Sequence, residues 1–268
     1  RFVVTCRTVS YQDEAWRLPG FHAAELVKLD NPKIQRFIKK FYAELKTRGR
    51  EVAERRVASL TEAIRQRDEL HEMAGNPYLL SLMAQLHLRS ELPAKRALLF
   101  DKFVEELLFA WEEEKRRDTQ LPSGPTLAVL LKRAESDHPS FRAVLSRLAF
   151  EAHQAGLNRE PGDKRGTSIY IPEQQLADAL AELPPKTKWS ANQREAWAKD
   201  LIHLIEHRAG LLVAQGSHQF GMAFKLQEFM AALRVCDAEH FEIESAAELV
   251  VDDSGYWEEV IRLAAGYQ

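Results

Sequence analysis

Two cysteines in 268 residues, Cys6 and Cys236, are too few for a disulfide framework, and each sits inside an apolar segment. That excludes the small disulfide-stapled secreted classes and points to a reducing compartment. Long apolar runs are missing too. Nothing approaches the roughly 18 consecutive apolar residues of a membrane span, and nothing reads as a secretory signal. The expectation is a cytoplasmic protein with no membrane partner. The net charge of −3 comes from 37 Lys and Arg against 40 Asp and Glu, so no overall field draws nucleic acid or anionic lipid. A local basic face stays open.

Motifs that carry chemistry are equally scarce. No G-x-x-x-x-G-K-[ST] phosphate cradle is present, and its nearest imitation, GDKRGTS at 162–168, lacks the Gly-Lys pair. LVVDDSG at 249–255 imitates an acidic magnesium-binding strand end but reads better as a connector between helices. No G-x-S-x-G elbow marks a nucleophile. HLIEH at 203–207 sets His203 and His207 four residues apart on one helix face, as metal ligands require. With no third ligand marked, the flank of a buried helix is the preferred reading, and no metal site is expected.

What is present is helix. Behind Asn31 and Pro32, the residues Ile34, Phe37, Ile38, Phe41, Tyr42 and Leu45 recur at helical spacing. Further helices are expected from about Val52 to Met73, from Pro77 onward, and from about Ala94 to Arg116, which together would make a small four-helix bundle. DTQLPSGP at 118–125 is the best connector between domains. Beyond it come a helix around Phe141–Ala155, a short strand SIYI, helices at Pro172–Leu183 and Asn192–His207, and two apolar runs around QGSHQ that read as a β-hairpin. A last helix runs from about Lys225 to Val235. Helix, strand, helix, helix, hairpin is the order of a winged-helix domain. At the other end, RFVVTCR is a β-branched apolar run closing on polar residues, the pattern of a strand buried inside a parallel sheet.

These segments resemble, in order, a NACHT-type signal-transduction ATPase of the STAND P-loop class. RFVVTCR looks like the family's sensor strand, which usually ends in Thr-Ser-Arg. FHAAELVKLDNPKIQRFIKKFY is similar to the stretch that follows it. GNPYLLSLMAQLHLRSELPAKRALLFDKFVEELLFAW carries a Gly-x-Pro motif, then Leu-Pro, a basic residue and an aliphatic helix ending in Trp. LSRLAFEAH, HRAGLLV and LQEFMAA resemble the winged-helix segments, and YWEEVIRLAAG the first helical repeat.

The resemblance implies a mainly α chain in four parts. Residues 1–29 would be a remnant of the nucleotide-binding domain, 30–121 the helical domain, 122–240 the winged helix, and 241–268 the start of a helical sensor region. It also implies that Arg7 is the sensor arginine at the terminal phosphate of ATP, and that Gly75 and Pro77 form the Gly-x-Pro motif, with the proline ring against adenine. An arginine at a strand's C-terminal end suits phosphate oxygens, while Pro77 is also simply a good first-turn residue. The phosphate loop and magnesium carboxylates (Walker A and Walker B) would precede Arg1, so this chain alone should neither hydrolyse ATP nor hold ATP, ADP or magnesium tightly. The family's histidine before the Gln-Glu-aromatic motif falls at Ala223. Its expected partners are the N-terminal NTPase half, further copies on activation and a sensed ligand, in a switch often used in bacterial antiviral defence. Two rival readings are a winged-helix DNA-binding regulator and a helical adaptor without nucleotide. Against the first, the candidate recognition helix balances Arg194, Lys199 and Arg208 with Glu195, Asp200 and Glu206.

Overall fold

The structure is a computed structural model that describes residue 4 and residues 18–43, 50–110, 125–157, 170–206, 211–214, 218–222, 224–237, 249 and 254–268. The chain is mainly helical and forms two compact units that part between Leu92 and Pro93.

The first unit is built on helices α1 (Asn31–Ala43), α2 (Arg50–Gln66), α3 (Asp68–Ala74) and α4 (Pro77–Arg89). Asp30 starts α1, accepting from the Lys33 backbone N–H at 2.9 Å, and the expected spacing buries Ile34, Ile38 and Tyr42. The helix expected over 52–73 is two helices. Arg67 is extended (φ −127°, ψ 110°), and Asp68 and Glu69 then open a new first turn, where acidic side chains meet the helix dipole favourably. Leu60, Ile64, Leu70, Met73, Leu80 and Met83 fill the interior.

One polar network is buried among them. His87, only 3 % exposed, has its Nδ1 2.7 Å from the Tyr42 hydroxyl and its Nε2 3.1 Å from Ser59 Oγ. Tyr42 also donates to the Ala84 carbonyl at 3.3 Å. One neutral tautomer satisfies all three contacts: Nδ1–H donates to Tyr42, Tyr42 to Ala84, and Ser59 to Nε2.

The second unit begins with α5 (Arg96–Glu105), which runs on as a π-helical turn, Glu106–Ala110. The sequence reading counts α5 with the helices before it. Its apolar side instead packs on α10 (Phe224–Val235) and α11 (Ser254–Tyr267). Between them lie α6 (Leu127–Arg133), α7 (His138–Leu157), β1 (Ile171–Pro172), α8 (Glu173–Leu180), α9 (Ala191–Leu204), β2 (Leu212–Ala214) and β3 (Gln219–Met222). The sequence reading has no helix at α6. It starts directly behind the connector because Thr126 caps it, its hydroxyl accepting from the Val129 N–H at 3.2 Å.

The strands form one antiparallel sheet in the order β1-β3-β2. Ile171 pairs with Phe220, and Leu212, Val213 and Ala214 pair with Met222, Gly221 and Phe220. The hairpin expected around QGSHQ is therefore present, with the preceding strand added at its outer edge. A capping box at Ser190 and Gln193 starts α9. Trp197 anchors that helix by donating to the Leu130 carbonyl at 3.0 Å.

Helix α11 is seated deeply on this unit. Trp257 and Val260 are fully buried and Leu263 nearly so. The Trp257 ring lies 5.3 Å from Phe150 and 4.6 Å from His153, between centroids. Tyr256 donates its hydroxyl to the His153 carbonyl at 2.8 Å. Arg96 pairs with Glu259 at 2.8 Å, with both side chains largely covered.

Candidate functional site

The sequence singles out Arg7, Gly75 and Pro77. Arg7 and the strand reading around it lie outside the described residues, as do Ala223, His207 and the 162–168 loop. Gly75 and Pro77 sit together at the α3–α4 turn.

Gly75 is buried, in an ordinary right-handed conformation (φ −60°, ψ −24°), so backbone freedom is not what demands glycine there. Close approach is. Its carbonyl accepts from the Leu29 N–H at 2.7 Å, which ties the irregular segment 21–30 to the turn. A Cβ at position 75 would lie 3.2 Å from the Glu72 carbonyl oxygen, 3.6 Å from Lys28 Cβ and 3.7 Å from the Leu29 carbonyl oxygen. Asn76 is the N-cap of α4, its Oδ1 accepting from the N–H groups of Tyr78 at 2.9 Å and Leu79 at 3.4 Å. Pro77 follows at the first helical turn, where its missing N–H costs nothing. Its ring is exposed. Nearby, His71 Nε2 and Asn31 Oδ1 are hydrogen-bonded, a second tie between α3 and the start of α1. The turn thus offers an apolar ring to a flat ligand face while the segment before α1 is held against its base.

Gly75→Val should cost about 1–3 kcal/mol through overpacking, first against the Glu72 carbonyl and then, with its γ-carbons, against Lys28 and Leu29. It would be read as a lower urea midpoint together with faster amide exchange at Leu29. Wild-type exchange at Leu29 would show that the close approach does not depend on glycine.

On the winged helix, Gln227, Glu228 and Phe229 of α10 are all buried. Phe229 stacks on Phe100 at 6.0 Å between centroids and meets the Tyr267 edge at 5.9 Å. The Gln-Glu-Phe motif is therefore part of the packing that joins α5, α10 and α11, a role its sequence did not reveal. On α9, Lys199 is held by Glu195 at 2.7 Å, and no group of three metal-ligating side chains occurs among the described residues. His203 is exposed on the same helix.

No curated protein and no solved structure gave a significant match to the chain. The family model described as the winged helix-turn-helix domain C-terminal to NACHT matches residues 96–235. That span begins at the first residue of α5 and ends at the last of α10, so it takes in the hairpin, β1 and the Phe100–Phe229 contact. The chain belongs to the family of winged helix-turn-helix domains found C-terminal to NACHT.

Proposed function

We propose that this chain is the regulatory half of a NACHT-type nucleotide-controlled switch, whose state governs self-association and signalling, in the setting of antiviral defence. The family match over 96–235 carries the reading. The Gly75–Pro77 turn supports it, because its exposed ring and docked flanking segment suit one face of a planar base.

In this reading Pro77 would lie against adenine and Arg7 at the terminal phosphate, with magnesium and the phosphate loop belonging to the NACHT domain. The nucleotide supplies the charged terminal group that distinguishes the two states. Gly75 keeps the approach to the turn narrow, and Asn76 holds the first turn of α4 so that the Pro77 ring has a fixed orientation. Two arrangements of the domains would then be biased by what Arg7 and Pro77 touch.

The test is nucleotide titration by calorimetry on the polypeptide with its NACHT domain. Pro77→Ala should weaken both ADP and ATP by about fivefold, the effect of losing roughly 40 Å² of apolar contact. Arg7→Ala should weaken ATP more than ADP. Unchanged affinities in both variants would reject these roles. Residues 1–268 alone should not turn over ATP, since positioning of phosphates and magnesium makes up most of that catalysis. Turnover by this chain that Arg7→Ala abolishes would overturn the division of labour.

A further inference from the structure

Helix α1 carries a charge pattern unlike the rest of the chain. Within its 13 residues it has Lys33, Arg36, Lys39 and Lys40 and no acidic residue, although the whole chain is net negative. All four cations are exposed, whereas Ile34, Ile38 and Tyr42 are buried. At 100° per residue Arg36 and Lys40 project from the side opposite that buried stripe, and Lys33 and Lys39 flank them. The basic face is therefore the solvent face of a helix fixed by its core contacts.

Part of the opposing charge on the neighbouring elements is already engaged. On α2, Glu51 pairs with Arg55, and Glu62 pairs with Arg65 at 2.6 Å. Asp30 pairs with Lys33 at 2.7 Å and lies within the field of Arg36. Among the described residues, Arg36, Lys39 and Lys40 have no ion-pair partner. The basic character also continues in sequence: Lys46, Arg48 and Arg50 follow, against the single acid Glu44.

We propose that the solvent face of α1 binds the phosphate backbone of duplex nucleic acid, without sequence preference. Charge complementarity and spacing argue for it. Arg36 to Lys40 spans about 6 Å of helix axis, which matches about two phosphate-to-phosphate steps of one strand at 3.4 Å each, enough for three successive phosphates. A membrane surface fits less well, because an interfacial helix inserts a free apolar face and that of α1 is buried in the core. Single strands fit less well too, since they are held by open aromatic platforms. The aromatic pair on α1, Phe37 and Phe41, is half-buried and stacked on itself at 6.0 Å.

The test measures fluorescence anisotropy of a duplex of about 20 base pairs with the 268-residue chain, from about 50 to 200 mM salt. The comparison is the triple variant Arg36→Gln, Lys39→Gln, Lys40→Gln, whose replacements are good helix formers at exposed sites. Circular dichroism and the melting midpoint establish that it stays folded. The variant should bind about tenfold more weakly at the lowest salt, and its log–log salt slope should be shallower by about 2.7, which is 0.9 for each of three phosphates.

Four outcomes would overturn the proposal. No duplex binding at about 100 µM chain, the weak end of non-specific affinity, is one. Equal binding by the folded triple variant is another, and it would move the contact to the winged helix or elsewhere. Tighter binding to a single strand of the same charge, or to phosphatidylserine vesicles, would assign the face to a different partner. The readout is independent of nucleotide binding at Pro77, so its failure would leave that reading standing.

Discussion

Trp257→Ala should lower the melting midpoint of the second unit by roughly 6–20 °C. The side chain is fully buried in helix α11 and packs against Phe150 and His153. Truncating such a residue removes its transfer free energy and leaves a cavity, for a cost of about 3–5 kcal/mol. His153 and Tyr256 are held by each other through ring contact and the Tyr256–His153 hydrogen bond, so they do not readily move to fill the gap. Tyr256→Phe, which removes that bond alone, should cost only about 1 kcal/mol. Scanning calorimetry on the 268-residue chain distinguishes the two. A shift below about 2 °C for Trp257→Ala would mean that α11 is not part of the cooperative unit.

Acidification should destabilise both units through a different residue in each. His87 and His153 are 3 % and 1 % exposed. Burial holds both imidazoles below their ordinary pKa. For His87 the Arg56 charge adds to the depression and Glu91 opposes it. For His153 the opposing influence is the Tyr256 carbonyl, 3.4 Å from Nε2. In each case the unfolded chain takes up a proton more readily than the folded one. Stability should therefore be flat above about pH 6.5 and fall as the pH drops below that ordinary value. The fall ends once the pH passes below each folded-state pKa. The slope is at most about 1.4 kcal/mol per pH unit for each histidine. Melts at pH 7.5 and pH 5 should show both transitions moving down. His153→Gln should flatten the pH dependence of the second unit only, and His87→Gln that of the first. Identical pH dependence in the wild type and both variants would rule out these two groups as its source.

The sequence revealed most where a local rule was sufficient. Pro32 and the Ile34, Ile38, Tyr42 spacing mark α1 because a one-sided apolar stripe has only one regular solution. The hairpin was legible from two apolar runs about a polar turn. The break at Arg67 was not, since helical periodicity runs through it from Leu60 and Ile64 to Leu70. Helix α6 was hidden because Pro125 and the polar run before it read as a loop, and a lone threonine does not by itself announce a cap. For α5, Phe100 and Phe103 announced burial, but apolar residues do not say against what. Their partners, Phe229 and α11, lie more than a hundred residues onward. The same limit applies to the candidate site. Gly75 and Pro77 were visible as a motif, whereas the Leu29 N–H that bonds the Gly75 carbonyl is a contact made across the fold.

Helix α11 is 14 residues long, about 21 Å of rod at 1.5 Å per residue. Turning it by one residue would swing Trp257 through about 100°, out of its socket, so both its axis and its rotation are pinned at Trp257 and at the Arg96–Glu259 pair. Any sequence joined at Gln268 through continuous helix, whether a further domain or a fluorescent reporter, would leave with a fixed bearing. A distance label placed there reads as a pointer whose angle is calibrated by the winged helix itself.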